Sequence, residues 1–369
     1  MIISFGIFEK SMIIVVGGGP AGSLSAINLG KKYDVLLVEE HQTPGFPLRC
    51  AGLISERCFK AYRRYCNVKK ALENEIKGAF MFSPSGDFLE VRSNAYVLDR
   101  RLLDLMLFEK ASEFAKTLVK VKVRFKGRDV VLGDKIFKPD YLIGADGVYS
   151  ITAKSFGFNR PELFLTAQME VKFEALDERF VEVYFGKLYS KGFFAYAIPI
   201  GDTAKIGVVS RDNPMKYLKN LIEKHPSVSK RVRGCTIELN FGAIPIGLID
   251  FVRGNVALIG DSAGMVKPYT GGGLYYLLIA SEKLSENFPN LNAYKSSYLK
   301  ELGKEYKYGM KILRLYSVLS DDDYDLLIKN FRDFDYSGFD MDRPSTFLGA
   351  LKRFPAKLLL KVLKALFLF

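Results

Sequence analysis

Tryptophan is absent from this chain, histidine occurs only as His41 and His225, and glutamine only as Gln42 and Gln168. Neither histidine stands in a motif of a general base: His41 follows two acids at the end of an apolar run, and His225 precedes Pro226 in a basic, loop-like stretch. Structural roles are expected for both. The four cysteines, Cys50, Cys58, Cys66 and Cys235, contain no C-x-x-C pair, which argues against a structural metal site and against a thioredoxin-like motif. No Ser/His/Asp arrangement and no P-loop is present. No apolar run reaches the roughly 18–20 residues that a bilayer span requires.

What remains is a globular composition. The chain has 369 residues, 49% hydrophobic and 26% charged, enough for a large core and two domains. A net charge of +13 points to an anionic partner, either nucleic acid or an anionic membrane surface. No zinc-knuckle spacing, ribonucleoprotein aromatic signature or basic coiled-coil arm is found, so nucleic acid is not expected. Scarce glutamine beside abundant lysine and glutamate is the balance of heat-tolerant proteins. Met1 to Ser11 has too short an apolar stretch and no basic leader for a signal peptide, and reads as a tail or a start-site artefact before the strand beginning near Met12. A cytoplasmic protein, soluble or bound to the inner face of the cell membrane, is expected.

The most informative segment runs from Ile13 to Gly22. The apolar run Ile13–Val16 feeds into Gly17-Gly18-Gly19-Pro20-Ala21-Gly22, a helix-compatible stretch follows, and a second apolar run, Val35–Val38, ends at Glu39. Strand, G-x-G-x-x-G turn, helix, strand and acid is the layout of a dinucleotide site. Gly17 serves the tight turn, Gly19 the approach to a pyrophosphate and Gly22 the close packing of helix on strand, while Glu39 accepts from a ribose. Two further apolar runs end in Gly/Asp clusters: Tyr141–Gly144 leads to Ala145-Asp146-Gly147, and Val256–Ile259 to Gly260-Asp261-Ser262-Ala263-Gly264. Ligands of a doubly wound sheet lie beyond the carboxyl ends of its strands, so the three loops can converge on one long ligand. Gly271-Gly272-Gly273-Leu274 then opens a helix to about Leu284, and its N-terminus suits the negative charge of a reduced isoalloxazine.

Together these motifs resemble the flavoproteins of the para-hydroxybenzoate hydroxylase class, and within it the geranylgeranyl reductase family, over roughly Met12 to Glu282. The family's dinucleotide motif is matched by Gly17, Gly19, Ala21 and Gly22 with Glu39 as ribose acid, its basic-Cys segment by Arg49, Cys50 and Ala51, and its cofactor arginine by Arg100. Gly260, Asp261 and Gly264 match its G-D-x-A-G, and Gly271, Gly273 and Leu274 its later glycine segment. The resemblance implies FAD as cofactor, with Asp261 near the ribityl or phosphate region and Gly273-Leu274 at the ring. The chain departs from the family in two places. Leu53 stands where a second glycine is usual, and the substrate-side Y-x-W-x-F-P appears as Phe194-Ala195-Tyr196-Ala197-Ile198-Pro199, identical only at Pro199. The same rhythm occurs as W-x-W-x-I-P in flavin-dependent halogenases.

The fold expected is α/β with α+β: a Rossmann-like FAD-binding domain from 12–55, 95–160 and 240–290, with an inserted, mainly antiparallel substrate sheet from 56–94 and 161–239. That sheet would cover the flavin and offer Phe193 or Phe194, Tyr196 and Ile198 to substrate. Residues 291–369 read as a helical C-terminal region, with Asp321-Asp322-Asp323 as a helix start signal rather than a metal site. In 355–369, Lys357, Lys361 and Lys364 share one face opposite leucines and phenylalanines, the pattern of an interfacial membrane helix or of a helix docked on its own core.

The activity implied is reduction of C=C bonds in a geranylgeranyl or polyprenyl lipid, with hydride from reduced FAD and a proton from a nearby acid. Cys50, Tyr196 and the Tyr275-Tyr276 pair are the candidates for chemistry near the ring. A flavin monooxygenase or halogenase acting on an apolar aromatic substrate, and a non-catalytic prenyl-lipid carrier on the same fold, are the alternatives. With one dinucleotide fingerprint, NAD(P)H would bind transiently or a ferredoxin-like donor would replace it.

Overall fold

A computed structural model describes residues 12–47, 50–358 and 361–362. The readings placed on Met1–Ser11, on Arg49, on 359–360 and on 363–369 therefore lie outside the described residues. The chain opens with β1 (Met12–Val16), α1 (Pro20–Gly30) and β2 (Asp34–Val38). Next come β3 (Leu53–Ser55), α2 (Glu56–Tyr62), β4 (Leu72–Phe82), β5 (Phe88–Leu98) and α3 (Arg100–Ser112). Short strands β6 (Lys116–Leu118), β7 (Val123–Lys126), β8 (Asp129–Leu132) and β9 (Lys135–Phe137) precede β10 (Tyr141–Gly144) and α4 (Ile151–Ser155). Then follow β11 (Glu162–Phe173), β12 (Phe180–Tyr184), β13 (Ala195–Ile200), β14 (Thr203–Ser210), α5 (Pro214–Lys224) and β15 (Val232–Ile246). The chain continues through β16 (Val252–Arg253), β17 (Val256–Leu258), α6 (Leu274–Asn287), α7 (Leu291–Val318) and α8 (Asp321–Phe331).

Two large sheets organise these elements. The first has the order β16-β17-β10-β1-β2-β6, parallel except for the β16–β17 pair. The interiors of its central strands are apolar because both faces are covered: Ile13, Ile14, Leu36 and Leu37 are fully buried. The second sheet has the order β15-β11-β14-β13-β12-β4-β5-β3 and is antiparallel except where β12 runs parallel to β4. Its strands reach beyond the expected spans, since β3, all of β5 to Leu98 and β15 to Ile246 are hydrogen-bonded into it.

Period-two alternation divides the second sheet's side chains between a packed face and a cavity face. On β11, Ala167 and Met169 join Tyr217, Leu218 and Leu221 of α5 in one core, while Thr166 and Gln168 point to the cavity. The acidic run is the first turn of α8: Ser320 caps it and Asp323 returns a bond to the Ser320 N–H at 2.8 Å. The segment after residue 355 begins by docking on the protein. Leu358 and Val362 are buried, and Lys361 Nζ lies 2.6 Å from Asp323. No helix among the described residues is long and apolar enough to cross a membrane.

Candidate functional site

The first wall of the site is the turn after β1. Gly17 has φ +101°, and a Cβ there would lie 2.4 Å from the Ala145 carbonyl oxygen, so only glycine fits. A Cβ at Gly19 would meet nothing within 4 Å: it would stand in open cavity. Gly19 is also the N-cap of α1 and supplies no side-chain cap, so the first N–H groups of that helix stay available to an anion. Gly22 is closed off from the cavity and lets the helix approach the turn, a Cβ there falling 1.8 Å from Gly17 O. Glu39, at the end of β2, accepts from Gly18 N at 2.6 Å, from His41 N at 2.8 Å and from His41 Nδ1 at 2.6 Å. His41 thus steadies the acid through Oε1, and Oε2, with one bond from Gly18, keeps lone-pair capacity for a hydroxyl.

The loops after β10 and β17 close the same cavity and are stitched together by Ser262 Oγ, which donates to Gly144 O at 2.7 Å. Asp146 turns inward: it accepts from Ser150 Oγ at 2.6 Å, Thr152 N at 2.8 Å and Thr152 Oγ1 at 2.9 Å, bracing the start of α4 while it and Gly147 line the wall. Asp261 lies on the wall with no hydrogen bond to its carboxylate among the described residues. Burial raises its pKa, and the charge of Arg100 works against that rise. Arg100 is held by Asp104, with Nε 3.0 Å from Oδ1 and Nη2 3.1 Å from Oδ2. Gly264 sits away from the wall, where a Cβ would meet Gly247 O at 2.4 Å.

Cys50, Ala51, Gly271, Gly272, Gly273 and Leu274 line the middle of the cavity. From β13, Tyr196 and Ile198 reach it, and Phe194 just before the strand joins them, whereas Phe193 is core. Pro199 falls on the other side of the strand, its carbonyl accepting from Asn74 Nδ2 at 2.9 Å. Tyr196 O–H donates to Gln168 Oε1 at 2.9 Å, and burial, with Cys50 adding, raises its pKa, so the phenol stays neutral. The cavity measures about 1100 Å³ and extends past β12 to the C-terminal helices, where Leu315, Tyr316, Leu319, Tyr324 and Phe331 form an apolar wall.

Several wall residues carry no sequence motif. Gln168 and the faces of α7 and α8 could be read only as ordinary sheet and helix core, because which element covers a face is decided by tertiary packing. Lys267 and its partner Asp342 were also missed, although Lys267 stands between two glycine segments that had been singled out.

A parallel sheet whose loops converge on an anion-binding turn, set against an antiparallel sheet that roofs the cavity, defines a dinucleotide-binding oxidoreductase fold. No family model matches the chain. It is 31% identical to an uncharacterised protein of Methanocaldococcus jannaschii, over 96% of this chain and 95% of that one. It is 32% identical to a digeranylgeranylglycerophospholipid reductase of the same organism, over 85% of this chain and 89% of the other. A geranylgeranyl bacteriochlorophyll reductase-like protein from Thermoplasma acidophilum superposes with a TM-score of 0.82 at 22% identity, covering 98% of this chain and 100% of that one. The chain belongs to the geranylgeranyl reductase family of FAD-dependent oxidoreductases.

Proposed function

We propose that the protein reduces carbon–carbon double bonds in the geranylgeranyl or related polyprenyl chains of a lipid. The observation that carries this reading is one continuous cavity joining the glycine turn to a wall of aliphatic and aromatic side chains. The residues present fit FAD: open space at Gly19, an uncapped helix start and an unpartnered Asp261 are what a long anionic dinucleotide needs. The turn at Gly17 and Gly19 and the helix start at Pro20 and Ala21 would hold the pyrophosphate, with Gly22 letting the helix pack against the turn, and Glu39 would hold the adenosine ribose. Arg100 and Asp261 would hold the phosphate–ribityl portion, and Cys50, Ala51 and Gly271 to Leu274 the ring. FAD, when bound and reduced, supplies the hydride.

The chain's own part is to bind, exclude water and place a proton. Phe194, Ile198, Leu315 and Tyr316 offer a prenyl chain a dry slot. Tyr196 is the O–H donor at that slot. Gln168 accepts its proton in the resting arrangement, and rotation about the C–O bond breaks that bond and turns the proton towards the cavity. The net charge of +13 suits a peripheral position on an anionic membrane, from which such a lipid would enter. The electron donor would be NAD(P)H or a ferredoxin-like protein. The protein, reduced without oxygen and mixed with vesicles containing digeranylgeranylglycerophospholipid, should add pairs of hydrogens to the lipid, read by mass spectrometry. A lipid of unchanged mass beside a flavin that stays reduced would favour a carrier. Insertion of oxygen into a substrate in air would favour the monooxygenase reading.

A further inference from the structure

Lys267 lines the cavity between the glycine segments Gly260–Gly264 and Gly271–Gly273. It is 7% exposed, and its Nζ lies 2.8 Å from Oδ1 of Asp342, which is 1% exposed. A buried ion pair is no better for stability than well-packed apolar residues of equal volume, so its presence on this wall calls for another reason. The loop wraps around the lysine: Gly271 N donates to Lys267 O at 2.8 Å, and Lys267 N donates to Gly272 O at 3.0 Å. A Cβ on Gly272 would stand 3.4 Å from Lys267 Nζ. The ammonium therefore lies directly behind the Gly272 backbone, beside the N-terminus of α6, where the helix adds partial positive charge of its own. Asp342 comes from a different part of the chain, beyond α8. Its carboxylate accepts from Ser55 Oγ, and its carbonyl from Tyr276 O–H at 3.3 Å.

We propose that Lys267 and Asp342 together set the reduction potential of the bound flavin. Two electrons and one proton added to FAD leave one negative charge on the ring; Lys267 stabilises that charge and Asp342 offsets the lysine. The inference rests on the reading above that the ring lies against Gly271 to Leu274. Both residues act through space as tuning groups, in a cavity wall where charge is weakly screened. Removing either leaves the other uncompensated, so the two removals displace the potential in opposite directions. A purely structural role for the pair would displace both the same way or not at all.

The test uses the FAD-loaded protein without lipid, reduced anaerobically by xanthine and xanthine oxidase against a reference dye. Lys267→Gln should lower the midpoint potential and Asp342→Asn should raise it, each by at least about tenfold in the reduction equilibrium, or about 30 mV for a two-electron couple. The double variant should return close to the unaltered protein. Shifts of one sign, or none, overturn the proposal. Should Lys267→Gln take up no flavin, Lys267→Arg and Asp342→Asn decide: the first must stay near the unaltered potential and the second must rise. Failure to reduce prenyl lipid with the potentials still split sinks the function proposed above and leaves the tuning intact. Prenyl reduction with unmoved potentials sinks the tuning alone.

Discussion

Gly17 and Gly19 are two residues apart in one turn, and substitution by alanine should separate folding from cofactor binding. Gly19 has φ −67° and ψ −177°, a conformation alanine adopts freely, and its added methyl would meet no protein atom. Replacing glycine by alanine at this N-cap costs about 1 kcal/mol of stability or less. The methyl would, however, stand in the space a pyrophosphate must enter to reach the N–H groups of α1. A charge-assisted hydrogen bond is worth about 1.5–3 kcal/mol, so losing two weakens FAD binding by about 3–6 kcal/mol, or roughly 10²–10⁴ in Kd. Gly17→Ala behaves differently. At φ +101° and 2.4 Å from the Ala145 carbonyl, it strains the backbone by about 1–3 kcal/mol and pushes the β10 loop outward. Thermal unfolding of the apoprotein and titration with FAD, followed by flavin fluorescence, read the two effects apart. Gly19→Ala with unaltered affinity in a stable fold would refute the assignment of this turn to the pyrophosphate.

Three further outcomes can be checked. Burial, with the Arg231 charge adding, lowers His225 to about 4 from its ordinary 6.5, so only the unfolded chain takes up the proton as pH falls between those values. Stability is whole above about pH 6.5 and should fall by about 2 kcal/mol from pH 7 to 5 in urea unfolding; His225→Phe should remove that slope. Tyr196 stays protonated through the ordinary range because burial raises its pKa. Tyr196→Phe should therefore lower the rate of lipid reduction without moving any pKa in the pH–rate profile between about 5 and 9, and an unaltered rate would remove it from the chemistry. Val183→Asp places an unpaired charge on the apolar wall. With a cost of about 2 kcal/mol or more, lipid turnover should fall at least about 30-fold while the flavin absorbance of the purified protein is kept.

Backbone-driven features were the most legible. Gly17, Gly19 and Gly22 could be read because a turn at positive φ, an open approach and a close helix contact each exclude a side chain. The same logic misplaced Gly264, whose missing side chain makes room for Gly247 and not for a ligand. Alternation along β13 carries Tyr196 and Ile198 to the cavity and Pro199 to the far side, which a six-residue motif taken as a block conceals. Less could be read of the C-terminal wall. Amphipathic spacing in α7 and α8 reports that one face is covered, and only the packing reveals that part of the cover is a cavity. Asp342 lies 75 residues beyond Lys267, with no local pattern linking the two.

The order β17-β10-β1-β2 also fixes when the site can exist. Three of these strands begin near residues 12, 141 and 256, and the last glycine segment ends at Gly273. At a synthesis rate of about 5–20 residues per second, roughly 13–52 s separate the making of β1 from that of Gly273, and these loops cannot meet sooner. Fragments ending short of β17 should remain colourless however much cofactor the cell provides.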